Sequence, residues 1–168
     1  AREMDRQQLD APQYMQNASS QDVLDEFGDL PEGNYGLTIP ASFEVPDPPP
    51  GLRTYFEWID KVDGAKRGEW SLSGWLNADL LYRGLVGAGP EFSQAKVVAA
   101  INQIDDWNAD GVPPHINWTI EHERMRPDSC GVVSRIEDGA FVPIFATPGK
   151  PFMCIDNEAE ELQAENRS

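Results

Sequence analysis

The sequence is poor in the residue types that most often carry catalysis or contact nucleic acid. Its 168 residues include only two histidines, two cysteines and 13 lysines and arginines, against 29 aspartates and glutamates. The formal net charge of −16 repels phosphate backbones and anionic lipid surfaces, so no nucleic acid is expected as a partner. The plainest role of this acidity is to keep the surface soluble.

Long apolar runs and nucleotide-binding loops are also missing. No segment is apolar over the length that crosses a bilayer, and the first residues lack the charged and then apolar pattern of a signal segment. Residues 1–6 have the composition of the middle of a helix, so the lack of a signal segment is weak evidence about the protein's location. No G-x-G-x-x-G, P-loop or G-x-S-x-G motif occurs. We therefore expect no cofactor and no catalytic activity.

The histidines are the one feature that points towards a metal. His115 and His122 lie near Glu121 and Glu123, and a metal-dependent hydrolase could draw its ligands from such a group. Their H-x6-H spacing matches no standard zinc motif, and a mononuclear site would need a further ligand. We predict surface or locally hydrogen-bonded histidines and no metal, and keep the hydrolase as a rival hypothesis.

Two helices and a strand are predicted between Ser71 and Thr119. Ser71 can cap the first helix, whose apolar residues recur at helical spacing as far as Gly87. Ser93 is the predicted cap of the second helix. A pair of prolines then introduces an extended run, HINWTI. Both helices have wide apolar faces, which need something to pack against.

Shorter elements are predicted on either side of this segment. The first part of the chain has a strand, helix, strand order that ends with the strand Asn34–Ile39, and this order is the unit of a parallel sheet. Four prolines between Phe43 and Gly51 make a stiff, extended surface segment, and another amphipathic helix follows it. Near the end of the chain, Asp138 and Gly139 predict a hairpin between two strands.

In this order the segments resemble the C-terminal half of type I periplasmic binding proteins, the substrate-binding subunits of branched-chain amino acid ABC importers. The motifs that carry the resemblance are GWLNADLL at 74–81, FSQAKVVAAINQI at 92–104, GVPPHINWT at 111–119 and CGVVSRIEDGAFVPI at 130–144. All four occur in the family's order and cover most of the chain, which makes the resemblance strong.

The resemblance implies an α/β fold that is part of a two-lobed type I periplasmic-binding-protein fold, with parallel sheets flanked by helices and hinge crossovers between the lobes. Residues 1–39 and 130–156 would be second-lobe elements, residues 40–129 first-lobe elements, and residues 157–168 an acidic disordered tail. The N-terminal sheet of the first lobe is absent from this sequence. The remaining N-terminal part of the same protein is therefore an expected partner.

The same resemblance implies a binding function. Such a protein is the extracytoplasmic substrate-binding component of an ABC importer, which holds a small polar metabolite in the interlobe cleft and delivers it to an ABC permease in the membrane. Its expected location is the periplasm or the cell surface, with or without a membrane anchor. A ligand-sensing receptor of the same fold, not coupled to transport, remains an alternative.

Two segments are candidates for ligand contact by resemblance. In the family, polar ligand contacts come from the loop after the strand that matches Gln13–Met15, and an aromatic residue precedes the GW helix. These positions assign six residues to the cleft: Gln16, Asn17, Ala18, Ser19, Trp70 and Ser71. Ordinary packing is the alternative role of Trp70.

The identity of the ligand stays open. Relatives that bind branched-chain amino acids commonly carry an acidic residue in the loop that aligns with Gln16 to Ala18, where it holds the ligand ammonium. This chain has only uncharged side chains there, and an amide would not balance a buried ammonium. Amino acids, amides, urea and small aromatic acids are all candidates.

The two cysteines, Cys130 and Cys154, flank the predicted hairpin. Because the resemblance implies export and the family often carries cysteines in this region, we expect a disulfide between them. In a cytosolic protein they would be two free thiols.

Overall fold

The computed structural model describes residues 2–9, 11–16, 21–121 and 130–154. These ranges contain both helices and strands, so the chain is mixed α/β. In chain order the elements are α1 (Arg2–Arg6), β1 (Tyr14–Gln16), α2 (Gln21–Phe27), β2 (Tyr35–Thr38), α3 (Pro50–Ile59), α4 (Glu69–Ala88), α5 (Gln94–Ile101), α6 (Trp118–Glu121), β3 (Cys130–Glu137), β4 (Ala140–Pro143) and β5 (Met153–Cys154). No helix in the described ranges is both long enough and apolar enough to cross a membrane.

The strands form one mixed sheet. Its order is β1, β2, β3, β4, and β5 pairs with the first two residues of β3. β1 and β2 are parallel, with Tyr14 opposite Tyr35, as the strand, helix, strand order predicts. β3 runs antiparallel to β2, β4 and β5, and so the sheet is not parallel throughout.

The β3–β4 hairpin turns at Asp138 and Gly139, which confirms the predicted turn. Both residues have positive φ, 52° and 71°, the backbone conformation that the two central residues of a type I′ turn require. The N–H groups of Asp138 and Gly139 donate to the Glu32 carboxylate at 3.0 and 3.4 Å. The loop before β2 therefore holds the turn in place.

One face of the sheet packs against α2. Ile136 and Phe141 are buried with Leu24 of α2, and Met15 packs at the edge of this cluster. The ring of Phe141 packs beside Gly36 of β2, where a Cβ would stand 3.4 Å from the ring, in ordinary van der Waals contact. These residues form the smaller of two cores.

The larger core lies among the helices. Its buried residues are Ala41, Val45, Leu52, Tyr55, Leu72, Leu76, Trp107, Ala109 and Val112. α5 packs closely on α4 at Gly84, where a Cβ would stand 2.7 Å from the Ile101 side chain. Ala146 and Phe152, which follow the hairpin, pack against the same core and so join the end of the sheet to the helices.

The start of α3 lies against a loop with left-handed backbone. Ala109, Asp110 and Gly111 have φ values of 44°, 57° and 90°. The Gly51 N–H donates to the Asp110 carbonyl at 3.1 Å, and a Cβ on Gly51 would stand 2.0 Å from the carbonyl oxygen of Ala109. Glycine at position 51 is thus what permits this close approach.

Helix α4 begins two residues before the predicted start, whereas α5 begins as predicted. Gly68 precedes α4, and its N–H donates to Ser71 Oγ at 3.1 Å. Ser71 therefore satisfies a free N–H from the third position of the helix rather than from the cap. Ser93 Oγ accepts from the Lys96 N–H at 3.3 Å, which is the predicted cap of α5.

The predicted HINWTI strand is wrong. Within this run Ile116 alone pairs, in a single bridge with Trp107, and Trp118 begins α6. Asn117 accounts for the difference, because its Oδ1 accepts from the Thr119 N–H at 3.0 Å and from the Thr119 hydroxyl at 2.6 Å. A side chain that satisfies a backbone N–H in this way starts a helical turn and competes with strand pairing.

Cys130 and Cys154 are opposite each other in the β3–β5 pair and are joined by a disulfide. The bond ties the short β5 strand to the beginning of β3. The pairing expected from the sequence is present in the structure.

Two apolar surfaces are uncovered in the part of the chain that the structure describes. The outer face of α4 consists of Trp70, Leu81, Tyr82 and Val86, which are 72, 51, 67 and 64 % exposed. The open face of the sheet, opposite α2, includes Tyr14, Val142 and Ile144, which are 57, 39 and 40 % exposed. Large apolar side chains grouped on one exposed face are typical of a surface that contacts another part of a protein or a partner.

Candidate ligand site

The carboxyl ends of β1 and β2 lie at the same edge of the sheet, because the two strands are parallel. Gln16 ends β1 opposite Leu37, and Thr38 ends β2 one residue later. In open α/β sheets, ligands bind outside the carboxyl ends of the strands, where the following loops supply the contacts. The predicted contacts at 17–19 follow Gln16 and lie outside the described residues.

A narrow crevice connects this edge with α4. Thr38 and the segment 40–43 form one wall, and Glu69 and Leu72 from the first turn of α4 form the other. Thr38 Oγ1 donates to the Pro40 carbonyl at 2.9 Å, which supports the bend where the chain leaves β2. The crevice has a volume of about 10 Å³, room for about one water molecule.

Trp70 follows Glu69 in the first turn of α4. Its side chain is exposed, so no packing among the described residues explains it. Neither Trp70 nor Ser71 lines the crevice, although the two lie between Glu69 and Leu72, which do. An exposed, rigid aromatic ring is suited to covering the apolar part of a small ligand.

The hydroxyl of Ser71 is already used within the protein. Its Oγ lies 2.6 Å from the Tyr55 hydroxyl, 3.0 Å from the Lys66 carbonyl and 2.9 Å from the Gly68 carbonyl. A serine hydroxyl has a single proton to donate. Ser71 thus holds the start of α4 against α3, and a ligand contact from it would have to replace one of these bonds.

Glu69 is a candidate that sequence reasoning missed. Its side chain is only 9 % exposed and forms part of the crevice wall. The six residues predicted to contact ligand carry no charge, whereas Glu69 brings a carboxylate to the same place. The one sequence feature that could have marked Glu69 as a ligand contact is its position directly before Trp70. Acidic residues are common in the first turn of any helix, however, so this position does not distinguish Glu69 from an ordinary helix-start residue.

An ion pair braces the loop between α3 and α4. Arg67 donates to both carboxylate oxygens of Asp60, from Nε at 3.0 Å and from Nη2. The hydrogen bond from Arg67 is the main reason why the pKa of Asp60 lies below its ordinary value, and the same bond raises the pKa of Arg67. The Arg67 guanidinium also lies 4.2 Å from the centroid of the Phe56 ring. These contacts position Gly68 and hence the first turn of α4.

Of the two histidines, His115 lies within the described residues, and its ring makes local contacts. His115 Nδ1 contacts Asp106, and its Nε2 lies 3.3 Å from Asn108 Nδ2. His122 and Glu123, the other members of the group considered for a metal, lie outside the described residues. Across the described ranges no three His, Cys, Asp or Glu side chains are grouped as metal ligands. The hydrolase hypothesis gains no support from these contacts.

Comparison with known proteins identifies the fold. No family model and no curated protein matches the sequence. Among solved structures, a branched-chain amino acid ABC transporter from Thermus thermophilus with bound valine is similar at a TM-score of 0.68 and 16 % identity, over 95 % of this chain and 44 % of that chain. A periplasmic binding protein type 1 from Bordetella pertussis Tohama I is similar at a TM-score of 0.58 and 21 % identity, over 85 % and 42 %.

At these identities the similarity concerns the fold. The chain has the α/β fold of part of a type I periplasmic binding protein, and it spans less than half the length of each of these two proteins.

Proposed function

We propose that the chain is part of an extracytoplasmic solute-binding protein, a non-catalytic two-lobed clamp that passes a small polar metabolite to an ABC permease. The observation that carries the proposal is the fold shared with two binding proteins, one of which holds valine. The crevice between the strand edge and α4 supports it, because it brings Glu69 close to the end of β2.

In this proposal residues 1–39 and 130–156 belong to one lobe and residues 40–129 to the other. The two separate cores support the division, since one is centred on Phe141 in the sheet and the other on Leu72 in the helices. Ala146 and Phe152, from the range 130–156, pack against the helical core and so form a contact between the lobes. A ligand would contact both lobes only in the closed state. Its binding would therefore shift a hinge equilibrium towards closure.

We further propose that the remaining N-terminal part of the same protein covers the outer face of α4 around Leu81, Tyr82 and Val86, leaving Trp70 open to the cleft, and also covers the open face of the sheet. Both surfaces expose large apolar side chains in the described residues. Similar structures are more than twice as long as the matched portion, which is consistent with a missing layer on each surface.

The ligand in this proposal is an amino acid, an amide or a related compound. Glu69, which lines the crevice, could accept hydrogen bonds from an ammonium or an amide N–H. By resemblance, the segment 16–19 would supply neutral polar contacts and Trp70 an apolar wall. A ligand with only negative charge would be repelled by the Glu69 carboxylate.

A thermal-shift screen of amino acids, amides and small acids on the full-length protein tests the clamp. At a concentration of 100 times its Kd, a ligand stabilises the folded state by about 2.7 kcal/mol, which gives a clear rise in melting temperature. If no member of a broad metabolite set raised the melting temperature, the proposal would fail. For an identified ligand, loss of its cellular uptake on gene deletion would separate an importer component from a sensor of the same fold.

Two variants test the site. Trp70→Ala should weaken ligand binding about tenfold and leave the melting temperature of the free protein unchanged, since the ring is exposed. Tyr82→Ala, which removes another exposed ring from α4, is the control and should bind normally. Glu69→Gln should weaken an amino acid more than an uncharged amide, and equal effects on the two would argue against an ammonium contact.

A further inference from the structure

A second, larger cavity has no established role. Its volume is about 500 Å³, within the range of small-molecule sites, and it shares no lining residue with the crevice at α4. Six prolines contribute to its wall: Pro48, Pro49, Pro50, Pro113, Pro114 and Pro151. We call it the proline cavity.

The proline cavity lies where the end of the sheet meets the helical core. Arg53 and Asn108 line it from the helical side, and Phe152 with the Cys130–Cys154 disulfide lines it from the sheet side. Phe152 also packs against the helical core. A molecule in the cavity would therefore contact both parts of the chain at once.

The wall is rigid before any ligand binds. Proline has a fixed φ, the disulfide ties β5 to β3, and the Ala41 N–H donates to the Val112 carbonyl at 2.7 Å beside Pro113. A preformed wall reduces the conformational entropy that is lost on binding.

The charged groups of the wall neutralise each other. Arg53 Nη2 lies 3.2 Å from Asp47 Oδ1. His115 Nδ1 contacts Asp106, and its Nε2 lies 3.3 Å from Asn108 Nδ2, so both ring nitrogens already have polar neighbours within the protein. Within the described residues the Asn108 carbonyl oxygen Oδ1 receives no hydrogen bond and can accept one from a ligand. The wall thus favours an uncharged molecule with one N–H donor.

We propose that the proline cavity is an accessory binding site for a planar, uncharged aromatic molecule whose N–H donates to Asn108 Oδ1. The negative face of an aromatic ring is attracted to the C–H groups of proline rings, and Phe152 provides an aromatic edge or face. The site is separate from the proposed metabolite cleft, because none of the residues assigned to that cleft lines it.

Indole is the probe for this site, and 1-methylindole, which lacks the N–H donor, is its matched analogue. Isothermal titration of the full-length protein should show indole binding about fivefold more tightly than 1-methylindole, the ratio of one net hydrogen bond. In Asn108→Leu the two compounds should bind equally. Asn102→Leu, a half-buried asparagine outside the cavity, should keep the fivefold difference.

Amide shifts in the ¹⁵N spectrum on indole addition map the site. The expected shifts lie in 47–53, 108–115 and 149–154. Absence of saturable indole binding, shifts centred on Gln16 and Trp70, or equal affinity of indole and 1-methylindole for the unmodified protein would each overturn the proposal. If Asn108→Leu fails to fold by circular dichroism, the affinity ratio and the shift map of the unmodified protein decide the question.

Discussion

At the residue scale, the polar contacts that matter most are gathered at the start of α4. Tyr55, almost fully buried, reaches Ser71 with its hydroxyl, and Arg67 binds Asp60 while it lies over Phe56. These contacts join α3 to the loop before α4. They hold the turn that carries Glu69 and Trp70, and so the geometry of the candidate site depends on residues that need not touch the ligand.

The Asp60 pKa should depend on Arg67. Because the folded pKa lies below the unfolded one, the ionised carboxylate favours the folded state above the unfolded pKa, and this contribution is lost as the pH falls through the lower folded value. NMR titration should give Asp60 a midpoint below that of the denatured chain, and Arg67→Gln should raise it. Arg83→Gln, which removes the partner of Asp79 instead, should leave it unchanged. An unaltered midpoint in Arg67→Gln would contradict the assignment.

Ser71→Ala should destabilise the protein by about 1 to 3 kcal/mol, because it removes the acceptor of the Gly68 N–H and a partner of the nearly buried Tyr55 hydroxyl. Urea unfolding measures this loss. Ser73→Ala, in the same helix, is the control and should change stability little. If Ser71→Ala altered only ligand affinity, the structural role of Ser71 would be wrong.

At the scale of elements, α4 has an inner face in the core and an outer face that is also apolar. Leu72 and Leu76 are buried against α3, whereas the outer face is exposed in the described residues. Leaving the large apolar side chains of the outer face in water costs folding free energy, since each would gain about 1.5 to 3 kcal/mol from burial.

Two leucine truncations test whether the outer face is covered in the full-length protein. Leu72→Ala should cost about 2 to 5 kcal/mol because the side chain is buried. Leu81→Ala should cost at least about 1 kcal/mol if another part of the protein covers the outer face, and less than about 0.5 kcal/mol if water does. Denaturant unfolding gives both values, with the exposed Asn77→Ala as control. A negligible effect of Leu81→Ala would contradict the proposed cover.

Local chemistry decided which elements could be predicted from the sequence. Ser93 and the Asp138–Gly139 turn were predictable because one or two residues determine each conformation. HINWTI was mispredicted because the Asn117 cap overrides its extended pattern. The same limit applies to the candidate site, since the burial of Glu69 beside Thr38 depends on tertiary packing that no local pattern encodes.

At the scale of the whole molecule, two cores are linked by few connections. The chain passes from β2 into the helices after Thr38, and the segment from Ala146 to Phe152 returns from the hairpin to the helical core. The Cys130–Cys154 disulfide anchors the end of that returning segment.

Reduction of the disulfide should lower the free energy of unfolding by about 3 kcal/mol, because the denatured chain regains the entropy of a loop of 24 positions. The measurement is urea unfolding with and without reductant. The double variant Cys130→Ser, Cys154→Ser serves as the control that should not respond to reductant. Two free thiols in the unfolded, unreduced protein would contradict the bond and weaken the extracytoplasmic assignment.

The contact between Gly51 and the loop at 109–111 has a consequence for how this sequence can diverge. Any side chain at position 51 would collide with the Ala109 carbonyl, so natural homologues should keep glycine there even where their ligands differ. Gly64 has open space around it and is restricted only by a φ of 73°, so asparagine or aspartate should replace it in some lineages. We therefore expect position 51 to stay glycine among homologues that share the fold, and position 64 to vary.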